Sequence, residues 1–170
     1  KGLLEVVKYI ININSRLYNE MAIFFASRNG HFEVVEFLTS LVDNNINPCI
    51  YQLSIDEASR KNHLDVVKFL ASLNTNDYSN YIIESIIAAS ENGHLAVVKC
   101  LASRVDIDFR VNKAVTYASE NGHLAVVRFL VSLPNVDPSD CANEAIVLAS
   151  ENGHLEVVKF LASLDPTAYK

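Results

Sequence analysis

One nine-residue phrase recurs six times along this chain, and it restricts the fold more than any other feature. GLLEVVKYI begins at Gly2, GHFEVVEFL at Gly30, NHLDVVKFL at Asn62, GHLAVVKCL at Gly93, GHLAVVRFL at Gly122 and GHLEVVKFL at Gly153. The spacings are 28, 32, 31, 29 and 31 residues. Self-similarity at that period marks a stacked-repeat solenoid, in which each unit buries its apolar face only against its neighbours. Such a fold presents surface and does not by itself build a catalytic pocket.

The residues before each phrase read as a short helix. Four before the glycine stand Ala26, Ala58, Ala89, Ala118 and Ala149, and seven before it Ile23, Ile55, Ile86, Val115 and Ile146. Eight before it the residue is always small: Ala22, Ser54, Ser85, Ala114 or Ala145. Offsets of three and four define one helix face, and the small residues imply close packing. Gly30, Gly93, Gly122 and Gly153 then fill the left-handed position that ends a helix. Asn62 takes the fifth turn, and asparagine tolerates that conformation best among residues with a side chain. A second helix follows, apolar in the last repeat at Leu155, Val157, Val158, Phe160 and Leu161. Helices of about ten residues do not persist alone in water, so stacking is obligatory. The segments between units vary in length and are rich in Asp, Asn, Pro and Ser, which form turns. In two of them Asn112 and Asn143 are expected as helix N-caps.

Composition narrows the function classes. Of 170 residues 50% are hydrophobic, which excludes disorder, and the net charge of −6 argues against nucleic acid as a partner. Each half of the chain carries seven Lys/Arg and ten Asp/Glu, so no basic module hides in the average. Cys49, Cys100 and Cys141 are odd in number and lack metal-like spacing. Cys100 stands in the slot held by Tyr9, Phe37, Phe69, Phe129 and Phe160, and is expected to be a reduced, buried core residue. No apolar run approaches the roughly 18 residues of a membrane span, so no membrane partner is expected. The expected setting is reducing, intracellular and cytoplasmic. The expected organisation is a single repeat array over 1–170: a half repeat at 1–18, then repeats at about 19–50, 51–81, 82–110, 111–141 and 142–170, forming a segment of a longer protein.

The full motif A-S-x-N-G-H-L-x-V-V-K-F-L, complete or nearly so in five repeats and half present in a sixth, closely resembles the ankyrin repeat. The resemblance covers essentially the whole chain and implies an all-α solenoid of helix-turn-helix units with finger loops. Two departures stand out. The family's T-P-L-H box is replaced by Met21-Ala22-Ile23-Phe24, Lys113-Ala114-Val115-Thr116 and Glu144-Ala145-Ile146-Val147. The period also falls short of the usual value of about 33, with the shortage in the finger, so reduced hairpins or plain loops are expected there. This short, box-less variety is similar to arrays abundant in giant DNA viruses and amoeboid protists, which would place a viral copy in the host cytoplasm.

All five histidines, His31, His63, His94, His123 and His154, share one slot. Packed helices lie about 8–10 Å apart, too far for neighbouring rings to share a zinc ion at about 2 Å. Each ring is instead expected to hydrogen-bond backbone at its own turn, which leaves none for a nucleophilic pair. The recurrent serines Ser27, Ser59, Ser90, Ser119 and Ser150 are placed to bond the carbonyl four residues back. Glu33 and Glu36 form an acidic doublet where sister repeats pair Glu5–Lys8, Asp65–Lys68 and Glu156–Lys159. Lys8 and Lys68 on adjacent repeats would compensate it; a local docking spot for a basic partner is the other reading. No catalytic residues, cofactors or metals are expected.

Residues one, two, five and nine before the glycine share a face that packing does not claim. There the chain stops copying itself, with Phe25, Glu57, Ala88, Tyr117 and Leu148 five before the glycine. One and two before it are Arg28/Asn29, Arg60/Lys61, Glu91/Asn92, Glu120/Asn121 and Glu151/Asn152. The family resemblance implies that this is a concave groove which, with the fingers, binds protein partners. Phe25 and Tyr117 are candidate aromatic anchors. The leading expectation is a non-catalytic protein-interaction scaffold. The rival is a structural spacer, or a viral particle or host-interaction component, with no specific groove ligand. The repeated Glu-Asn in three successive units favours that rival.

Overall fold

The computed structural model describes residue 5 and residues 16–42, 46–73, 79–104, 109–134, 136 and 138–164. Ten α-helices lie among the described residues, with no strand. They are α1 (Arg16–Arg28), α2 (Phe32–Ser40), α3 (Pro48–Arg60), α4 (Leu64–Leu70), α5 (Ser79–Glu91), α6 (Leu95–Ala102), α7 (Asn112–Glu120), α8 (Leu124–Leu130), α9 (Pro138–Glu151) and α10 (Leu155–Leu164). Odd-numbered helices pack on one another in a row, and even-numbered helices form a second, parallel row of contacts. The chain is an all-α repeat solenoid. None of its described helices is long and apolar enough to cross a membrane. Most of each finger, at 43–45, 74–78, 105–108, 135 and 137, lies outside the described residues, as do Gly2, Lys8 and Tyr9 of the first phrase.

The turns explain why the phrase is copied so faithfully. Gly30, Gly93, Gly122, Gly153 and Asn62 all have positive φ, with Asn62 at 62°. In each turn two backbone bonds close the first helix in the Schellman pattern. At the Gly93 turn, Gly93 N–H donates to Ser90 O at 3.1 Å and His94 N–H to Ala89 O at 2.9 Å. Space is tight there as well. A Cβ on Gly93 would lie 2.6 Å from Nδ1 of His123 in the next repeat.

Three of the five histidines, His63, His94 and His123, are inter-repeat ties, not fasteners of their own turns. Nε2 of His63 donates to Arg28 O at 3.2 Å, His94 to Arg60 O at 2.9 Å and His123 to Glu91 O at 3.1 Å. Each ring reaches back across the stack to a carbonyl at the end of the preceding odd helix. Those carbonyls lack intrahelical partners, which is why the bond forms between repeats.

The core runs the length of the stack. Ile23, Ile55, Ile86 and Val115 are fully buried, as are Val35, Val67, Val98 and Val127. The serine back-bond occurs at Ser119 and Ser150, each 2.7 Å from the carbonyl four back. At Ser27, Ser59 and Ser90 the hydroxyl is buried without a partner. Those carbonyls already accept a helical N–H, so a back-bond adds little.

Neither expected N-cap is one. A 3₁₀ turn at Phe109–Val111 precedes α7, whose cap position is Val111, and Asn143 lies inside α9, which Pro138 starts earlier. Proline fits the first helical turn because its missing N–H would be unpaired there anyway. Asn47 does cap, its side chain accepting from Cys49 N–H at 2.9 Å ahead of Pro48.

The even-helix face corrects the reading of Cys100. The thiol is free, as expected, but half-buried, like Phe37, Phe69, Phe129 and Phe160 in sister slots. Those rings form an outer row. Lys99 Nζ lies 5.6 Å from the Phe129 centroid, and Arg128 Cζ lies 4.3 Å from that of Phe160. Each cation thus covers the ring of the next repeat. Glu156 and Lys159 close their pair at 2.9 Å.

Candidate partner-binding face

The expected face divides into residues the scaffold has already engaged and residues it has not. Directly before the turn, Asn29, Asn92, Asn121 and Asn152 each donate a side-chain amide to the carbonyl four residues back. The distances are 2.7 Å to Phe25 O and 2.9 Å to Ala88 O, Tyr117 O and Leu148 O. These asparagines cap their own helices while remaining exposed on the face. The Asn of the repeated Glu-Asn thereby also serves the scaffold. Lys61, in the same slot, is exposed.

Two before the turn, the charges interlock across repeats. Arg28 Nε lies 3.4 Å from Glu57 Oε2, Arg60 Nε lies 3.9 Å from Glu57 Oε1, and Arg60 Nη1 lies 2.8 Å from Glu91 Oε2. Arg28, Glu57, Arg60 and Glu91 therefore form one neutral chain along α1, α3 and α5. Their positive charge is largely cancelled before any partner arrives. Glu120 on α7 is half-buried and Glu151 on α9 is exposed.

Five and nine before the turn, the large side chains stand out of the core. Phe25 is 52% exposed, Leu53 48%, Met21 41% and Tyr117 40%. Met21, Phe25 and Leu53 share the α1–α3 end of the face, with Phe24 edge-on to Phe25 at 5.0 Å between centroids. Tyr117 is two repeats away, and Leu148, on α9, is half-buried.

Between α3, α5 and α7 the row is interrupted. Ala88 occupies the slot that holds Phe25, Glu57, Tyr117 and Leu148 elsewhere, and a cleft of about 530 Å³ opens over it. Ile87 and Ala88 contribute to its lining, with Gln52, Asp56 and Tyr117. Arg60, Glu84 and Glu91 also line it. Burial pushes the Asp56 carboxyl up from 3.8 to about 6; the Ser85 hydroxyl and Arg60 act against that rise, and Glu84 and Glu57 add to it. Ser85 Oγ donates to Asp56 Oδ1 and also reaches Tyr81 O at 3.0 Å. One hydroxyl hydrogen cannot serve two acceptors.

Sequence reasoning missed Asp56 and Gln52; Met21, Leu53 and Glu84 hold the slot nine before the turn, which it placed on the face without singling them out. A signal existed for Asp56, because the same slot holds Phe24, Ile87, Thr116 and Val147 in sister repeats. An acid there departs from a pattern otherwise apolar or small.

A family model described as Ankyrin repeats (3 copies) matches residues 1–81 and 85–169. Comparison with curated proteins finds no match. Nearly the whole chain falls within that family match, and its Schellman turns, inter-repeat histidines and two helix rows build the repeating unit: the chain belongs to the ankyrin-repeat family.

Proposed function

We propose that this array is a non-catalytic scaffold that binds a protein partner through its concave odd-helix face and fingers. Ankyrin repeats are in general protein-interaction modules, and the family is in general non-catalytic. The observation that carries the finer reading is the apolar patch of Met21, Phe25 and Leu53. Three large side chains, each more than two-fifths exposed, stand on adjacent helices of one face. Contiguous exposed apolar surface of this kind marks interaction sites, and aromatic residues are enriched in the anchors that dominate binding.

In this reading residues 1–170 form a single array that acts from an intracellular, cytoplasmic position. The test is affinity capture from the native cell with wild-type array, a Phe25→Ser/Leu53→Ser double variant and an outer-face control, Lys68→Ser/Lys159→Ser. A partner retained by wild type and control but lost by the double variant supports the face. Equal retention by all three assigns binding to the fingers or outer helices. Absence of any partner held by wild type leaves the spacer reading.

A further inference from the structure

We propose that the cleft between α3, α5 and α7 receives a lysine or arginine side chain from the protein partner, its aliphatic stem against Ala88 and Tyr117 and its cation between Asp56 and Glu84. The inference deepens the concave-face reading and rests on it only for where the side chain comes from.

Three features of the site carry it. First, the space is built by a missing side chain. Ala88 interrupts a row whose other members are Phe25, Glu57, Tyr117 and Leu148, so a partner's side chain would complete the row. Second, the local charge is unbalanced. Arg60 is occupied by Glu57 and Glu91, and Arg28 by Glu57. Among the described residues no salt bridge reaches Asp56 or Glu84, nor Lys113, which holds the corresponding slot to Glu84 on α7. Third, Asp56 is largely withdrawn from water in a slot that sister repeats fill with Phe24, Ile87 or Thr116. A desolvated carboxylate is costly when unpaired, and an incoming cation is the group that offsets the cost most directly. Tyr117, 40% exposed, supplies a ring face for an ammonium or guanidinium stem. An anion would face Asp56 and Glu84 with Arg60 already paired to Glu57 and Glu91, and a purely apolar side chain would leave Glu84 without a counter-charge and Asp56 with the Ser85 hydroxyl alone.

The test needs no identified partner. The full chain, isotopically labelled, is titrated with the peptides acetyl-Gly-Lys-Gly-amide, acetyl-Gly-Arg-Gly-amide and acetyl-Gly-norleucine-Gly-amide, and amide shifts are followed by NMR at pH 7.5. Either cationic peptide should give saturable shifts centred on Asp56, Glu84, Ala88 and Tyr117, with the norleucine peptide at least about 10-fold weaker. Glu84→Gln should weaken the cationic peptide about 3-fold, as loss of one partly exposed charge pair implies. Ala88→Leu, which fills the cleft with a side chain the slot accommodates at Leu148, should remove the shifts. If Ala88→Leu fails to fold, Glu84→Gln and Asp56→Asn decide. The proposal is overturned if the norleucine peptide binds equally, if the shifts spread to Glu120, Glu144 and Glu151, if the variants bind like wild type, or if no saturable shift occurs at tens of millimolar. None of these outcomes bears on whether Phe25 and Leu53 hold a partner, so the two readings fail separately.

Discussion

The substitution Asp56→Asn should stabilise the array at neutral pH and flatten its response to acid. Asp56 has a folded-state carboxyl near 6 against 3.8 for the exposed group. Between those values the folded chain holds a proton that the unfolded chain has released. Stability therefore falls as pH rises through that window and stays lower above it. At about 1.4 kcal/mol per pH unit the whole effect is at most about 3 kcal/mol. Residual solvent contact at Asp56 reduces this to about 1–2 kcal/mol. The asparagine side chain would keep the shape, lose the charge and donate its amide to Ser85 Oγ, leaving the serine proton for Tyr81 O. The protonated wild-type carboxyl makes the same chain of bonds, so the two proteins should draw together as pH falls and converge only below 3.8.

Urea unfolding of wild type and Asp56→Asn at pH 4.5, 5.5, 6.5 and 7.5 measures this, because the difference between them cancels every other carboxylate. The variant should gain about 1–2 kcal/mol between the ends of the series, equivalent to about 2–4 °C per kcal/mol in a chain of this size. Ser85→Ala supplies a second arm. Removing the hydroxyl that favours the ionised carboxylate should move the titration upward, extending the unstable range. A difference that does not change with pH, or an Asp56→Asn variant less stable than wild type at pH 7.5, would refute the argument that burial dominates at this carboxyl.

Gly93→Ala and Gly153→Ala should differ although both alter the same slot: Gly153 has nothing within 4 Å of an added Cβ, whereas at Gly93 the His123 ring blocks it. Thermal unfolding should show a cost of about 1–2 kcal/mol for left-handed alanine at both sites, and about 1 kcal/mol more at Gly93 for the displaced His123–Glu91 bond. Cys100→Phe should stabilise by about 1 kcal/mol in urea unfolding, since it supplies the ring that Lys68 would cover as Lys99 covers Phe129; a loss of about 1–3 kcal/mol would show instead that neighbours had closed on the smaller side chain. Arg60→Glu should cost up to about 1 kcal/mol at low ionic strength by setting three acids together, with part of the loss recovered in about 0.5 M salt. Equal stability at both salt concentrations would mean that the Arg28–Glu57–Arg60–Glu91 chain contributes nothing.

Most of the scaffold was legible because each repeat repeats the same physical problem. The left-handed turn admits Gly or Asn, so Asn62 could be assigned beside four glycines from the sequence alone. The alternation of Ala, β-branched and small residues likewise located the buried face of the odd helices. Contacts between repeats were less legible. A histidine copied in every turn looks the same whether it bonds its own turn or the carbonyl of the previous repeat, and only three-dimensional spacing separates the two. The bonds of the asparagines were hidden for a related reason. Residues on the solvent side of a helix read as unclaimed, yet an amide beside the turn reaches its own helix's carbonyl four residues back. Periodicity reports which face a side chain occupies and says nothing of what its polar end does.

The departures from the repeat are not spread evenly, and their clustering bears on function. The unit around α3 carries Asn62 for glycine, Lys61 for asparagine, Asp56 for an apolar or small residue, and Tyr51, 1% exposed with its hydroxyl 3.4 Å from Leu70 O. The next unit contributes Ala88 and Glu84, and the one after it Tyr117. Apart from Tyr51, which is part of the core, none of these is needed to stack a repeat, because sister units stack with other residues in the same slots. A buried acid that weakens the array at neutral pH has no scaffolding purpose to offset it. Residues with a stability cost and no packing role are expected where a surface makes a specific contact. Asp56, Glu84, Ala88 and Tyr117 meet at the cleft, at the middle of a face whose amino-terminal end is apolar and whose Arg28–Glu91 charges cancel one another. A partner suited to it would lay an apolar segment over Phe25 and Leu53 and place a basic side chain in the cleft that begins at the same helix, α3.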